Sequence, residues 1–172
     1  MHKSEHSTHE LARSNGFTDG ATDRRYLDIA RYEAETSFSE GGIPVGAVLV
    51  RNGRRVGQGH NQRVQRGNAI LHGEMDCLVN AGRQTTYADT TLYTTLSPCM
   101  MCTGTILQFG IPRVVIGEND TFGGNEEFLR IRGVEVVILH DQDCRNLIRR
   151  FINAHPEIWA EDIGSADLRG HP

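Results

Sequence analysis

The chain reads as a layered α/β fold, a five-stranded mixed sheet with helices on both faces. Three observations predict it. Five segments carry β-branched, aromatic or alternating apolar residues, at 45–51, 54–61, 90–96, 113–118 and 134–139. Helix-like segments separate the last three, which is the spacing of parallel crossover connections. The first two are instead joined by Asn52-Gly53, a dipeptide that favours a tight antiparallel hairpin.

Taken in order, the first helix runs from Asp19 or Thr22 to Glu40. Leu27, Ala30, Ala34 and Phe38 line one face, and Gly41-Gly42 ends it. "VGAVLVR" (45–51) and "RRVGQGHN" (54–61) form the hairpin. After a glycine-containing loop, "ILHGEMDCLVNAG" (70–82) reads as a helix closed by Gly82. "TTLYTTL" (90–96) is a strand, and "CMMCTGTILQFG" (99–110) a helix stopped by Gly110, with Pro112 just beyond. "RVVIGE" (113–118) is a buried-type strand, "NEEFLRIRG" (125–133) a short helix, and "VEVVIL" (134–139) the last strand. Asp141 or Asp143 caps "CRNLIRRFINAH", and Pro156 opens a final short helix.

The 172 residues fit a single domain at 19–164, which includes that final helix at 156–164. Residues 1–18 read as a flexible polar extension and 165–172 as a flexible tail. His2, His6 and His9 in the extension are scattered histidines of a polar arm. No apolar run reaches the roughly 18–20 residues that span a bilayer, and the amino terminus has no signal-like apolar region. Four cysteines without such a signal point to a reducing, cytoplasmic setting. Net charge is −4 and no dense Lys/Arg block is present, so the balance favours a small-molecule substrate over nucleic acid.

"LSPCMMCTG" (96–104) carries Cys99 and Cys102. A lone C-x-x-C fits a redox pair, half of a metal site or two packed thiols. The discriminating feature lies upstream. "HGE" (72–74) stands twenty-seven residues before Cys99 at the mouth of the preceding helix. Two helix amino termini flanking one strand can meet above the carboxyl end of an open sheet. His72, Cys99 and Cys102 would then supply one nitrogen and two sulfurs, leaving a catalytic zinc its fourth position for water. Residues i and i+3 share one side of a helical turn, and the helix amino terminus favours thiolate. His72 and Glu74 can face one metal only where the chain is still extended, because i and i+2 diverge within a helix. Gly73 between them leaves a ligand access to its backbone N–H. A redox pair needs neither His72 nor Glu74, and a structural zinc usually wants a fourth protein ligand.

H-x-E with a later P-C-x-x-C is the pattern of zinc deaminases acting on nucleobases. There a non-ligating glutamate, here Glu74, works as general acid and base on water acidified by the metal. Beyond that pattern, 28–164 is similar to the fungal-type cytosine deaminases of the cytidine deaminase-like superfamily. The similarity rests on "EGGIPVGA" (40–47), "GHN" (59–61), "LHGE" (71–74), "DTTLYTTLSPC" (89–99), "MCTG" (101–104), "GIPR" (110–113), "GEN" (117–119) and "EDIG" (161–164).

The resemblance implies a three-layer α/β/α sandwich, a homodimer, one Zn2+ per subunit, and hydrolysis of free cytosine to uracil and ammonia in pyrimidine salvage. It places Asn61 and the Gly73 N–H on the pyrimidine amide edge. Asp162 and the Ser97 carbonyl face the exocyclic amine, Phe122 and Trp159 form aromatic walls and lid, and Val45 the apolar floor. By themselves, Asn61 reads equally as a turn residue, Asp162 as a solvated helix residue, and both aromatics as core. Deaminases of guanine, a cytosine analogue or tRNA adenosine share the zinc motifs and form the competing reading. Two departures stand out: Asp76 is polar in a helix expected to be buried, and Met100 replaces an acidic residue between the zinc cysteines.

Overall fold

The computed structural model describes residues 20–164. The expectations for the 1–18 extension, its histidines and the 165–172 tail lie outside them. The elements are α1 (Gly20–Ser39), β1 (Gly46–Arg51), β2 (Arg54–His60), α2 (Arg63–Arg66), α3 (Gly73–Ala81), β3 (Thr90–Leu96), α4 (Met100–Phe109), β4 (Arg113–Glu118), α5 (Glu126–Ile131), β5 (Glu135–Ile138), α6 (Gln142–Ala154) and α7 (Pro156–Ile163).

One five-stranded sheet has the order β2-β1-β3-β4-β5. β1 pairs antiparallel with both β2 and β3. The β3–β4 and β4–β5 pairs are parallel. Asn52 (φ 49°) and Gly53 (φ 73°) are both left-handed, as a two-residue primed turn requires. The sheet is therefore mixed, as the sequence predicts.

Alternation along the strands builds the layers. Ala47, Leu49, Leu92, Val114 and Ile116 face Cys77 and Leu78 of α3, Ile106 of α4 and Leu129 of α5. Val48, Val50, Tyr93 and Val115 face Tyr26 and Ala30 of α1 on the other side. Each fully buried Val, Leu or Ile contributes about 1.5–3 kcal/mol. α6 packs against β4 and α1, and its Ile148 and Phe151 join Trp159, Val45 and Leu96 in a third cluster. Helix α1 crosses β1 so closely that a Cβ on Gly46 would lie 2.1 Å from the Ala30 carbonyl oxygen.

A buried ionic cluster ties α1 to the sheet. Asp23 accepts two hydrogen bonds from Arg113, at 2.9 and 2.8 Å. It accepts a third from the Tyr93 hydroxyl at 3.0 Å, and Arg113 also donates to Glu135 at 3.1 Å.

Most boundaries shift by one or two residues, and three local differences from expectation have a physical reason. The 70–82 helix starts at Gly73, because His72 is an extended N-cap (φ −69°, ψ 168°). The 125–133 helix shortens to Glu126–Ile131. The loop after β2 contains the single helical turn α2, closed by left-handed Gly67; four residues are too few to show a helical period. At the other end of the chain, Asp141 rather than Asp143 is the cap, its side chain accepting from the Cys144 N–H at 2.9 Å.

Candidate active site

The amino end of β1 and the carboxyl ends of β2, β3 and β4 share one edge of the sheet, set by the antiparallel β1 pairings. The chain leaves β3 through Ser97 and Pro98 and enters α4. Cys99 is its extended N-cap (φ −65°, ψ 172°), with its carbonyl accepting from the Thr103 N–H at 2.8 Å. His72 opens α3 in the same way, its carbonyl accepting from the Asp76 N–H at 2.9 Å. The two helix mouths meet here.

His72 Nδ1 lies 3.5 Å from Cys99 Sγ. Together with Cys102 Sγ, these donor atoms all fall within 4.8 Å of one another. A tetrahedral zinc with standard bond lengths places a nitrogen and a sulfur ligand about 3.6 Å apart. The set fits that ion, with three protein donors, two of them thiols.

Charges agree with the ligand roles. Cys99 is held down at about 4 by the hydrogen bond from Cys102, against the opposing effect of burial and with help from His72. The Cys102 thiol is pushed up by its pairing with Cys99 and by burial. For His72 burial acts downward, but the adjacent Asp162 carboxylate and Cys99 prevail and lift it to about 10. At neutral pH, His72 and Cys102 thus carry protons that a metal must displace, whereas Cys99 does not. Zinc uptake by chelated protein is expected to release protons and to strengthen with pH. The logarithm of its affinity should rise by about two per unit between roughly pH 6 and 8. Competition against a chromophoric chelator across that range measures it, and a flat profile would remove these residues as ligands.

Glu74 is buried in the first turn of α3. Its Oε1 accepts from the Thr94 hydroxyl at 2.9 Å and its Oε2 from Cys102 Sγ at 3.4 Å. Burial, then the neighbouring Cys99 charge, pushes its carboxyl upward, opposed by backbone hydrogen bonding, His72 and Thr94. Because His72 is extended rather than helical, both side chains reach the same cavity.

That cavity encloses about 420 Å³. Val45, Asn61, His72, Glu74, Ser97 and Cys99 line it from the sheet side, and Phe122, Trp159 and Asp162 from the other. Phe122 and Trp159 meet edge to face, with centroids 6.3 Å apart at 90°. Asn61 is buried, with Oδ1 accepting from the Arg63 N–H at 2.9 Å, so its amide hydrogens are the part left to a ligand. Ser97 donates its N–H to the Glu118 carbonyl at 2.9 Å. Asp162, on α7, places Oδ1 3.2 Å from His72 Nε2.

Two predicted residues do not line the cavity. Cys102 lies behind it, fully buried. Gly73 is glycine for a packing reason: a Cβ there would sit 2.6 Å from the Val45 carbonyl oxygen. Asp76, unexpectedly polar, is buried and accepts from the His60 N–H at 3.1 Å, fastening α3 to β2. Met100 is 61% exposed at the cavity mouth.

Sequence reasoning missed Arg63, Thr94 and Asn125. Asn125 donates to the Pro98 carbonyl at 3.0 Å and so pins the segment entering α4. Thr94 lies within the strand motif 89–99, but neither motif nor period marks its contact with Glu74, nor those of Arg63 and Asn125.

Comparison with known proteins agrees with this geometry. A cytosine deaminase of Candida albicans is 54% identical over 145 residues, covering 83% of this chain and 97% of the relative. A tRNA-specific adenosine deaminase of Streptococcus pyogenes is 35% identical, covering 73% and 87% respectively. A solved tRNA:A34 deaminase structure superposes with a TM-score of 0.65 at 24% identity, covering 72% of this chain and 99% of that one, which is a likeness of fold. Residues 21–118 match the family described as the cytidine and deoxycytidylate deaminase zinc-binding region, and with that match, the curated relatives and the His72/Cys99/Cys102 cluster, this chain belongs to that family of zinc-binding deaminases.

Proposed function

We propose that the protein hydrolyses free cytosine to uracil and ammonia. The observation that carries this reading is a buried carboxylate, Glu74, beside the His72/Cys99/Cys102 set in a cavity of about 420 Å³. That volume sits near the lower end of the roughly 300–1,000 Å³ typical of small-molecule sites. The cytosine deaminase activity named for the Candida relative supports the choice of base.

Held by His72, Cys99 and Cys102, zinc would supply the Lewis acidity that makes water nucleophilic near neutral pH. Glu74 would accept a proton from the attacking water, deliver it to the ring nitrogen and then assist the amine in leaving as ammonia. Asn61 donates to the amide edge of the base, alongside the Gly73 N–H. Asp162 and the Ser97 carbonyl accept from the exocyclic amine. Phe122 and Trp159 wall the ring over the Val45 floor and exclude bulk water, and α7 acts as the lid of a single deaminase domain.

The same reading extends to a homodimer with one zinc per subunit, working in cytoplasmic pyrimidine salvage. No helix of the described residues is long and apolar enough to cross a membrane. A tRNA substrate is disfavoured by the net charge of −4.

The test is ammonia release from cytosine, 5-methylcytosine, isocytosine, cytidine, guanine and adenine, with zinc analysis of the same sample. Cytosine is expected to be the preferred substrate. Preference for guanine, or turnover only of adenosine within tRNA, would replace this assignment.

A further inference from the structure

Arg63, the first residue of α2, touches both sides of the cavity. Its backbone N–H holds Asn61 Oδ1 at 2.9 Å. Its guanidinium donates to the Ala69 carbonyl at 3.2 Å and to Glu161 Oε1 at 2.8 Å. Its Nε lies 3.7 Å from Asp162 Oδ1. That oxygen is buried and has no hydrogen-bond partner among the described residues, although His72 Nε2 is only 3.2 Å away. Flanked by Arg63 and His72, a carboxylate oxygen with more than one lone pair can still accept from a ligand.

The identity of that charge matters. A carboxylate removed from water is costly unless a cation compensates it. Arginine is charged at every working pH. The Ala69 and Glu161 bonds restrain the guanidinium from two directions, which aims Nε at Asp162.

We propose that Arg63 is the positioning residue for substrate recognition. Its backbone sets Asn61 and its guanidinium sets Asp162, so that the two groups face one ligand at fixed spacing while α7 is latched over the cavity. The inference rests on the deaminase reading of this site. The Arg63–Glu161 pair alone would be a minor surface bridge, because the Glu161 side chain is 63% exposed.

The experiment uses the zinc-loaded full chain as wild type, Arg63→Met, Arg63→Lys and Glu161→Gln. Steady-state cytosine turnover, zinc content and thermal midpoint are measured for each. Arg63→Met is expected to lower kcat/KM by about 10–100-fold, as a misplaced contact does, with zinc content and midpoint held. Arg63→Lys, which keeps the charge and loses the fork, should fall between Met and wild type. Glu161→Gln removes the charge but keeps an amide oxygen that can accept from the Arg63 guanidinium, so the restraint persists and kcat/KM should change by less than about 3-fold.

Arg63→Met turning over within about 3-fold of wild type would overturn the proposal. So would a loss that follows a fall in zinc or midpoint and is unrelieved by lysine, which would make Arg63 a strut. If Arg63→Met does not fold, Arg63→Lys decides: reduced kcat/KM at wild-type midpoint supports the role, and unchanged kcat/KM ends it. Failure of the wild-type zinc protein to deaminate cytosine would instead refute the substrate assignment.

Discussion

Replacing Glu74 with glutamine is expected to lower kcat for deamination by about 10²–10⁴-fold while zinc content and folding are retained. The substitution is nearly isosteric. Its amide oxygen can still accept the Thr94 hydroxyl that Glu74 Oε1 accepts at 2.9 Å, so the side chain keeps its place in the first turn of α3. What disappears is the capacity to pick up a proton and hand it on. Burial and the adjacent Cys99 charge push the Glu74 carboxyl upward, which makes it a stronger proton acceptor than a solvated carboxylate. Stopped-flow or steady-state ammonia assays, paired with metal analysis, check the outcome. A variant working at near wild-type rate would mean that another group carries the proton.

Removing Asp23 should be the most damaging single change to stability away from the site. Asp23→Ala leaves the buried Arg113 guanidinium without the two hydrogen bonds it makes at 2.9 and 2.8 Å, and the buried Tyr93 hydroxyl without its 3.0 Å partner. Breaking one side of a buried pair costs about 3–5 kcal/mol. Against the total stability of about 5–15 kcal/mol of a typical domain, that is a large share. Urea unfolding measures it. The double variant Asp23→Ala/Arg113→Met should be less destabilised than Asp23→Ala alone, because no charge remains stranded. Equal losses would show that the cluster contributes through packing of α1 and not through charge.

Much of the fold was legible because it depends on neighbours along the chain. The β3 strand at 90–96 and the β4 strand at 113–118 have their predicted limits, their β-branched runs being bounded by polar turns and helix caps. Left-handed Gly110 closes α4, and left-handed Gly53 completes the hairpin as Asn-Gly implies. The zinc cluster was equally legible, because three donors at helix mouths flanking one strand are a matter of spacing. The start of α3 was less so. Residues 70–72 have the composition of a helix, yet the chain stays extended through His72, with Leu71 and His72 bonded back into the preceding loop.

The sequence by itself determined the alternation of strands and helices, the hairpin, the caps, and the metal donors with their glutamate. Each is decided by interactions within a few residues or by a fixed separation between motifs. Only the tertiary structure decided that Asp162 meets His72, that Arg63 bridges Asn61 and Asp162, that Thr94 supports Glu74, and that Gly73 yields its Cβ position to the Val45 carbonyl. Those contacts join elements far apart in the chain. They arise when packed layers bring unrelated loops to one edge of the sheet, and no period or local propensity encodes such a meeting.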